Sequence, residues 1–260
     1  MKGYTMLTFD VEEFDIPLEY QQPISMDEQM DVGMKGLNEL IPLLNKYNIH
    51  STLFTTANFA QTFPNVIKDL SEKHEIASHT FYHSSFNNVD LLNSKEALEK
   101  ITQKKVTGLR MPRMRKVEMS EVAKAGYLYD SSINPTFLPG RYNNFHLPRT
   151  IYHNEGMLRV PASVSPTIRF PLFWLGFKNY PYWFFKQLCL QTLQKDGYLS
   201  LYFHPWEFTD ISKYKLPGYV KKPDSHLLLL RLEKLINDLS PHSEFVTIQD
   251  YLLLKKYLNN

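Results

Sequence analysis

The chain has 260 residues, 43% hydrophobic and 22% charged, which is a globular and not a disordered composition. Its 29 basic and 27 acidic side chains leave a formal charge of +2, so nothing points to a nucleic-acid or acidic-membrane partner. A single cysteine, Cys189, excludes an internal disulfide framework and a cysteine-rich zinc module.

Residues 5–11 form a short apolar run rich in β-branched and aromatic side chains, which predicts a buried strand. Asp10, Glu12, Glu13 and Asp15 interrupt any secretory apolar core, so no leader is expected and the location reads as cytoplasmic. Ser25 to Glu28 has the form of a capping box, and Met30, Met34, Leu37, Ile41 and Leu44 follow at helical spacing. Pro42 is expected to kink or shorten that helix. Residues 51–56 read as a second strand, 64–73 as a helix opened by Pro64, and 75–78 as a third strand. A charged helix over 94–104, a strand over 106–110, a helix over 120–125 and a strand over 129–133 follow.

Residues 135–165 hold Gly, Pro and short extended pieces, and read as irregular or hairpin-like. The densest apolar stretch, 170–185, contains Pro171, Lys178, Asn179 and Pro181, which argue against a membrane span. It reads either as a buried loop and helix start, the favoured reading, or as a surface touching a lipid-linked substrate. A helix over 182–195 ends at Gly197, then come a strand over 199–203, a helix over 225–239 and a last strand over 245–248. Such alternation over this length predicts one domain across 1–260, with a parallel α/β sheet, open or closed into a barrel. Its chemistry should gather at the C-terminal strand ends.

Ionisable residues stand at those ends: Asp10 and Glu12 after the first strand, His79 and His83 after the third, Arg110 after the fourth, His204 and Glu207 after the strand over 199–203. In a strand, residues two apart share a face, so Asp10 and Glu12 point together; Glu13 and Asp15 are expected to be solvated. His79 and His83 share a face if the chain turns helical after the strand. Two imidazoles and a carboxylate make a catalytic metal set, although two histidines alone are as readily surface residues.

The segment from Lys73 to His83 resembles the metal-binding motif of the polysaccharide deacetylase family, also called the NodB-homology group or carbohydrate esterase family 4. Thr8-Phe9-Asp10, Ser51 to Phe54, Gly108 to Pro112, Tyr129 to Ile133 and Leu201 to Pro205 resemble its other landmarks, in the right order. The resemblance implies a distorted (β/α) barrel with about seven parallel strands and one divalent metal, zinc first, with cobalt, nickel, manganese or iron as alternatives. It implies Asp10 as general base, Arg110 as its partner, His204 as general acid, and His79 and His83 as metal ligands.

Two departures stand out. Where the family commonly has a second aspartate, position 11 is Val, and Glu12 becomes the expected third ligand with Glu13 in reserve; a D-x-E first motif resembles branches near allantoinase-like and deformylase enzymes. Where Tyr or Phe often follows the third motif's Pro, this chain has Arg113. Arg113 and Arg115 contact an acidic sugar or phosphate, or are surface residues; Trp206 stacks on a sugar or packs in the core; Glu207 orients His204 or binds substrate. His50, His74, His153, His226 and His242 read as structural or surface residues.

The leading expectation is metal-dependent removal of an N-acyl, first an N-acetyl, group from an amino sugar of a cell-surface polysaccharide or its precursor. The alternative is a small ureide, cyclic imide or lipid-linked formamido sugar. A further alternative, motivated by Val11, is an inactive glycan-binding module.

Overall fold

The computed structural model describes residues 2–258; residues 1, 259 and 260, which the one-domain reading includes, lie outside the described part. The strands are β1 (Gly3–Val11), β2 (Thr52–Thr55), β3 (Glu75–Ser78), β4 (Gly108–Leu109), β5 (Tyr129–Asp130), β6 (Phe137–Leu138), β7 (Tyr142–Asn143), β8 (Tyr152–Asn154), β9 (Met157–Arg159), β10 (Tyr198–Phe203) and β11 (Ser243–Phe245). Nine of them form one sheet in the order β10-β1-β2-β3-β4-β5-β9-β8, with β11 also paired to β1. Every pairing in it is parallel except β8 with β9. The sheet curls into a half-barrel, as the expected distorted barrel requires. Beyond β9, the Ser163 N–H donates to the Ser200 carbonyl at 2.8 Å, and the Ser200 N–H to Ser163 Oγ at 2.9 Å, joining the curl without a ladder.

Alternation along β1 sorts its side chains. Leu7, Phe9 and Val11 enter the core between sheet and helices, while Met6 packs inside the curl with Phe54, Ala77, Tyr129 and Leu158. Each such Leu or Phe contributes about 1.5–3 kcal/mol over leaving it exposed. Asp10 and Glu12 share the inward face of Met6, and Val11 faces away.

The helix Met26–Lys46 begins as expected at Ser25, whose Oγ accepts the Glu28 N–H at 3.2 Å. The box is half complete, because the Glu28 carboxylate accepts from Lys213 and Tyr214 instead. Pro42 does not shorten this helix, which runs on to Lys46. Two glycines set its height. A Cβ at Gly36 would lie 2.0 Å from the Pro205 carbonyl oxygen, and one at Gly33 would lie 2.8 Å from that of Glu12. The helix backbone therefore rests directly on the loops that leave β1 and β10.

Other differences have local causes. The helix expected over 94–104 starts earlier, as Val89–Thr102. The last strand is Ser243–Phe245 and not 245–248, because Thr247 caps the helix Ile248–Leu254, its Oγ1 accepting the Asp250 N–H. The irregular 135–165 stretch contributes β8 and β9 to the main sheet, and three residues each are too few for an alternation to announce them. The apolar 170–185 stretch forms the helix Trp174–Asn179 and the start of Tyr182–Asp196; Phe173, Phe177 and Phe185 are buried and Trp183 is exposed. No helix among the described residues is long and apolar enough to cross a membrane.

Candidate active site

At the C-terminal end of the curl, Glu12, His79 and His83 each bring one ligand atom to within 4.8 Å of the others. Glu12 Oε2 lies 3.0 Å from His79 Nε2 and 3.1 Å from His83 Nε2. The chain does not turn helical after β3, so His79 and His83 are brought together by another route. Thr80 adopts a left-handed φ of 63°, a rare state for a β-branched residue, and the loop after it returns His83 beside His79 with the rings stacked 5.6 Å apart.

Second contacts fix both rings. His79 Nδ1 meets the Arg110 carbonyl at 2.8 Å, and His83 Nδ1 meets Asp15 Oδ1 at 2.8 Å. Both partners only accept, so both Nδ1 atoms donate and both Nε2 lone pairs are turned on Glu12. Glu12 Oε1 accepts the Trp206 indole N–H at 3.1 Å, which leaves Oε2. Glu12 Oε2 and His79 Nε2 are buried without a hydrogen-bond partner. Three facing acceptors repel unless a positive charge sits between them.

A divalent cation fits that description. Tetrahedral donors at about 2.0–2.1 Å from zinc lie about 3.3 Å apart, close to what is seen here. Without one, protons fill the role. Burial opposes a charged His83, but Glu12 and then Asp15 outweigh it and raise its pKa to about 9. Burial likewise opposes the Glu12 carboxylate, but His83, His204 and His79 hold its pKa far below the usual range.

Beside this trio stands a second pair. Arg110 Nη1 donates to Asp10 Oδ1 at 2.7 Å and to Thr8 Oγ1 at 2.8 Å, and Nη2 donates to Ser131 Oγ at 3.0 Å. The guanidinium is wholly buried, 4.0 Å above the Phe54 ring. Fixed so, it holds one carboxylate oxygen and leaves Asp10 Oδ2 facing His204 Nε2 at 3.9 Å. His204 Nδ1 lies 3.0 Å from Glu207 Oε1, which also accepts the His204 backbone N–H at 2.7 Å. Burial works against a charged His204, but Glu12, Glu207 and Asp10 outweigh it and raise its pKa.

The remaining expected site residues fall as follows. Glu13 is turned away from the trio and accepts from Thr56 Oγ1 at 2.8 Å and Asn58 Nδ2 at 2.7 Å. Neither Glu13 nor Asp15 is solvated, since each is 2% exposed. Sequence reasoning missed Asp15, whose role rests on His83 and on Arg113, contacts 68 and 98 residues away. Arg113 donates to Asp15 and to Glu19, and Arg141 reaches the other Glu19 oxygen at 3.0 Å. Arg115 is exposed, 6.0 Å over the Phe86 ring. Trp206 is 3% exposed and stacks flat on His204, 4.9 Å away, so core packing occupies that face. His50, His153, His226 and His242 are exposed, and His74 is buried at the far end of β3.

A cavity of about 90 Å3 above the trio is walled by Asp10, Glu12, His83, His204 and Tyr202. A cleft of about 800 Å3 adjoins it through Arg113, Met114, Arg141 and Tyr142.

The sequence profile of the polysaccharide deacetylase family matches residues 3–129. A Mycobacterium smegmatis protein assigned as a polysaccharide deacetylase is similar over 99% of this chain and 92% of its own, with 18% identity and a TM-score of 0.66. A Pseudomonas aeruginosa PAO1 protein of the same assignment covers 95% and 88%, with 15% identity and a TM-score of 0.64. PuuE allantoinase covers 95% and 88%, with 14% identity and a TM-score of 0.63. At these identities the likeness is one of fold. No curated protein sequence matches significantly. The profile of the polysaccharide deacetylase family, hydrolases acting on carbon–nitrogen bonds, thus matches the part of the chain that carries β1 to β4 and the residues Asp10, Glu12, His79, His83 and Arg110, and the solved neighbours share the fold.

Proposed function

We propose that the protein is a divalent-cation-dependent hydrolase that removes an N-acyl group, N-acetyl first, from an amino sugar of a cell-surface polysaccharide or its precursor. The observation that carries this is the unpartnered Glu12 Oε2 and His79 Nε2 facing His83 Nε2, with Asp10 and His204 alongside. A bound divalent ion, zinc before cobalt, nickel, manganese or iron, polarises an acyl carbonyl and acidifies water at such a site.

The chain's own groups then divide the protons. Asp10, held at Oδ1 by Arg110, takes the proton from attacking water at Oδ2. The new C–O bond forms on the acyl carbon. His204 gives a proton from Nε2 to the amide nitrogen as the C–N bond breaks, since an unprotonated amine leaves badly. Carboxylate and amine are the products. The small cavity takes the acyl group and the adjoining cleft takes the sugar, beside Arg113.

The confined cavity also favours a second reading, a small ureide, cyclic imide or formamido substrate, including a lipid-linked formamido sugar. One assay separates them. The purified protein is analysed for bound metal, then given N-acetylated saccharides and small amides, with and without chelator. Chelator-sensitive acetate release from saccharides is the expected result. Release from small amides alone supports the second reading, and saccharide binding without any release supports an inactive glycan-binding module.

A further inference from the structure

Behind His204 lies a lysine that the chemistry above does not use. Lys178, on the helix Trp174–Asn179, has a side chain 1% exposed, and its Nζ lies 3.3 Å from Glu207 Oε2. Its one hydrogen bond among the described residues goes to the Val220 carbonyl at 2.7 Å. The ammonium stands 5.6 Å from the Trp174 ring and 5.7 Å from the Trp206 ring. Those same rings enclose His204, Trp206 stacked on it and Trp174 edge-on at 5.2 Å. Glu207 is thus shared by its two oxygens: Oε1 receives His204 twice, and Oε2 faces Lys178.

A wholly buried ion pair seldom stabilises a fold more than apolar side chains of the same volume. Around Lys178 the walls are Trp174 and Trp206, where a methionine would pack well. The pair therefore needs a reason other than stability, and its other end is His204. With the Lys178 ammonium facing Oε2, the Glu207 carboxylate is held in place and accepts from His204 at Oε1. An acceptor there holds one ring proton on Nδ1 and turns Nε2, which carries the proton given to the leaving amine, to the cavity. Glu207 Oε2 is buried with no hydrogen-bond partner, so without the Lys178 charge nothing would hold the carboxylate with Oε1 on Nδ1. Burial lowers the Lys178 pKa and Glu207 opposes that, so the two charges depend on each other.

We propose that Lys178 is a positioning residue, acting through Glu207 to hold the His204 ring by Nδ1–H on Oε1, so that the second proton, the one given to the leaving amine, is carried on Nε2 toward the cavity. The role attributed to His204 rests on the function proposed above.

The test uses full-length protein labelled with 15N-histidine, the His204 signals being identified by their loss in His204→Gln. Long-range 1H–15N spectra, taken at a pH high enough that His204 has given up its Nε2 proton, read the tautomer of the neutral ring. The wild type is expected to show Nδ1 protonated. Lys178→Met is expected to give a mixture and to lower kcat at least tenfold, with KM changed less than twofold. Lys178→Arg, which keeps the charge, is expected to retain the wild-type tautomer. Lys178→Met with Glu207→Gln is expected to be no slower than Lys178→Met alone, because the pair acts as one unit. If Lys178→Met does not fold, Glu207→Gln and Lys178→Arg carry the same comparison. An unchanged tautomer in the charge-removing variants, or losses that multiply in the double variant, overturns the proposal. A wild type that releases no acetate defeats the proposed function instead, while the spectra still decide what Lys178 does.

Discussion

Strand β3 has a histidine at each end, and the two are wired in opposite ways. At the lower end His74 Nδ1 accepts the Ser51 N–H at 3.2 Å, and its neighbour Glu75 accepts from Thr52 Oγ1, the Tyr129 hydroxyl and the Gln249 N–H. Burial, then the nearby His50 and Lys73, lower the His74 pKa to about 4, and burial raises that of Glu75. At the upper end His79 and Glu12 keep buried atoms with no partner, and the His83 pKa is raised to about 9. Residue types and burial are alike at the two ends. Satisfaction separates them: the lower cluster is closed by its own donors, whereas the upper one is complete only with an added positive charge.

The largest break in this comparison comes from the upper end. His79→Ala removes a donor from the trio, and metal content measured after dialysis is expected to fall to background with activity down at least ~1,000-fold. Asp10→Asn and His204→Gln are expected to retain metal while kcat drops about 10²–10⁴-fold, the range of general acid–base catalysis. Metal lost from Asp10→Asn would shift the site toward Asp10, Glu12 and His204, the other grouping of ligand atoms.

The lower end answers to pH. A neutral His74 with a folded pKa near 4, against 6.5 when unfolded, means the unfolded chain binds more protons between those values. Its contribution is whole above pH ~6.5 and is lost as pH falls toward 4, on the order of 3 kcal/mol in total. Urea melts across that window are expected to show the loss, and His74→Gln to flatten it. An equal slope in the variant would assign acid sensitivity elsewhere.

Smaller still is the effect of what supports the trio. Asp15→Asn is expected to weaken metal affinity about 10–100-fold, as outer-shell partners do, while Glu13→Gln leaves it within about twofold. A metal titration followed by calorimetry separates the two carboxylates. Equal effects would return Glu13 to the candidate ligands.

Much of the site was legible because strand geometry is local. Asp10 and Glu12 are two apart on a strand, so their shared face follows from the backbone, and Val11 falls in the outer core by the same rule. The neighbours that make the site work were not legible. Asp15 reads as a surface acid until His83 and Arg113 arrive from other loops. Lys178 reads as a break in an apolar stretch until Glu207 is beside it. The left-handed Thr80 has no sequence signal, since no local rule places a β-branched residue there. Gly36 reads as a weak point in a helix until the Pro205 carbonyl fills the space a side chain would need.

The most direct measurement is anomalous scattering from crystals grown with zinc. The account predicts one strong peak bonded by Glu12 Oε2, His79 Nε2 and His83 Nε2, with Asp15 still on His83 Nδ1. A structure in which zinc is abundant in solution but binds elsewhere, or in which these three atoms turn to protein donors, would contradict it.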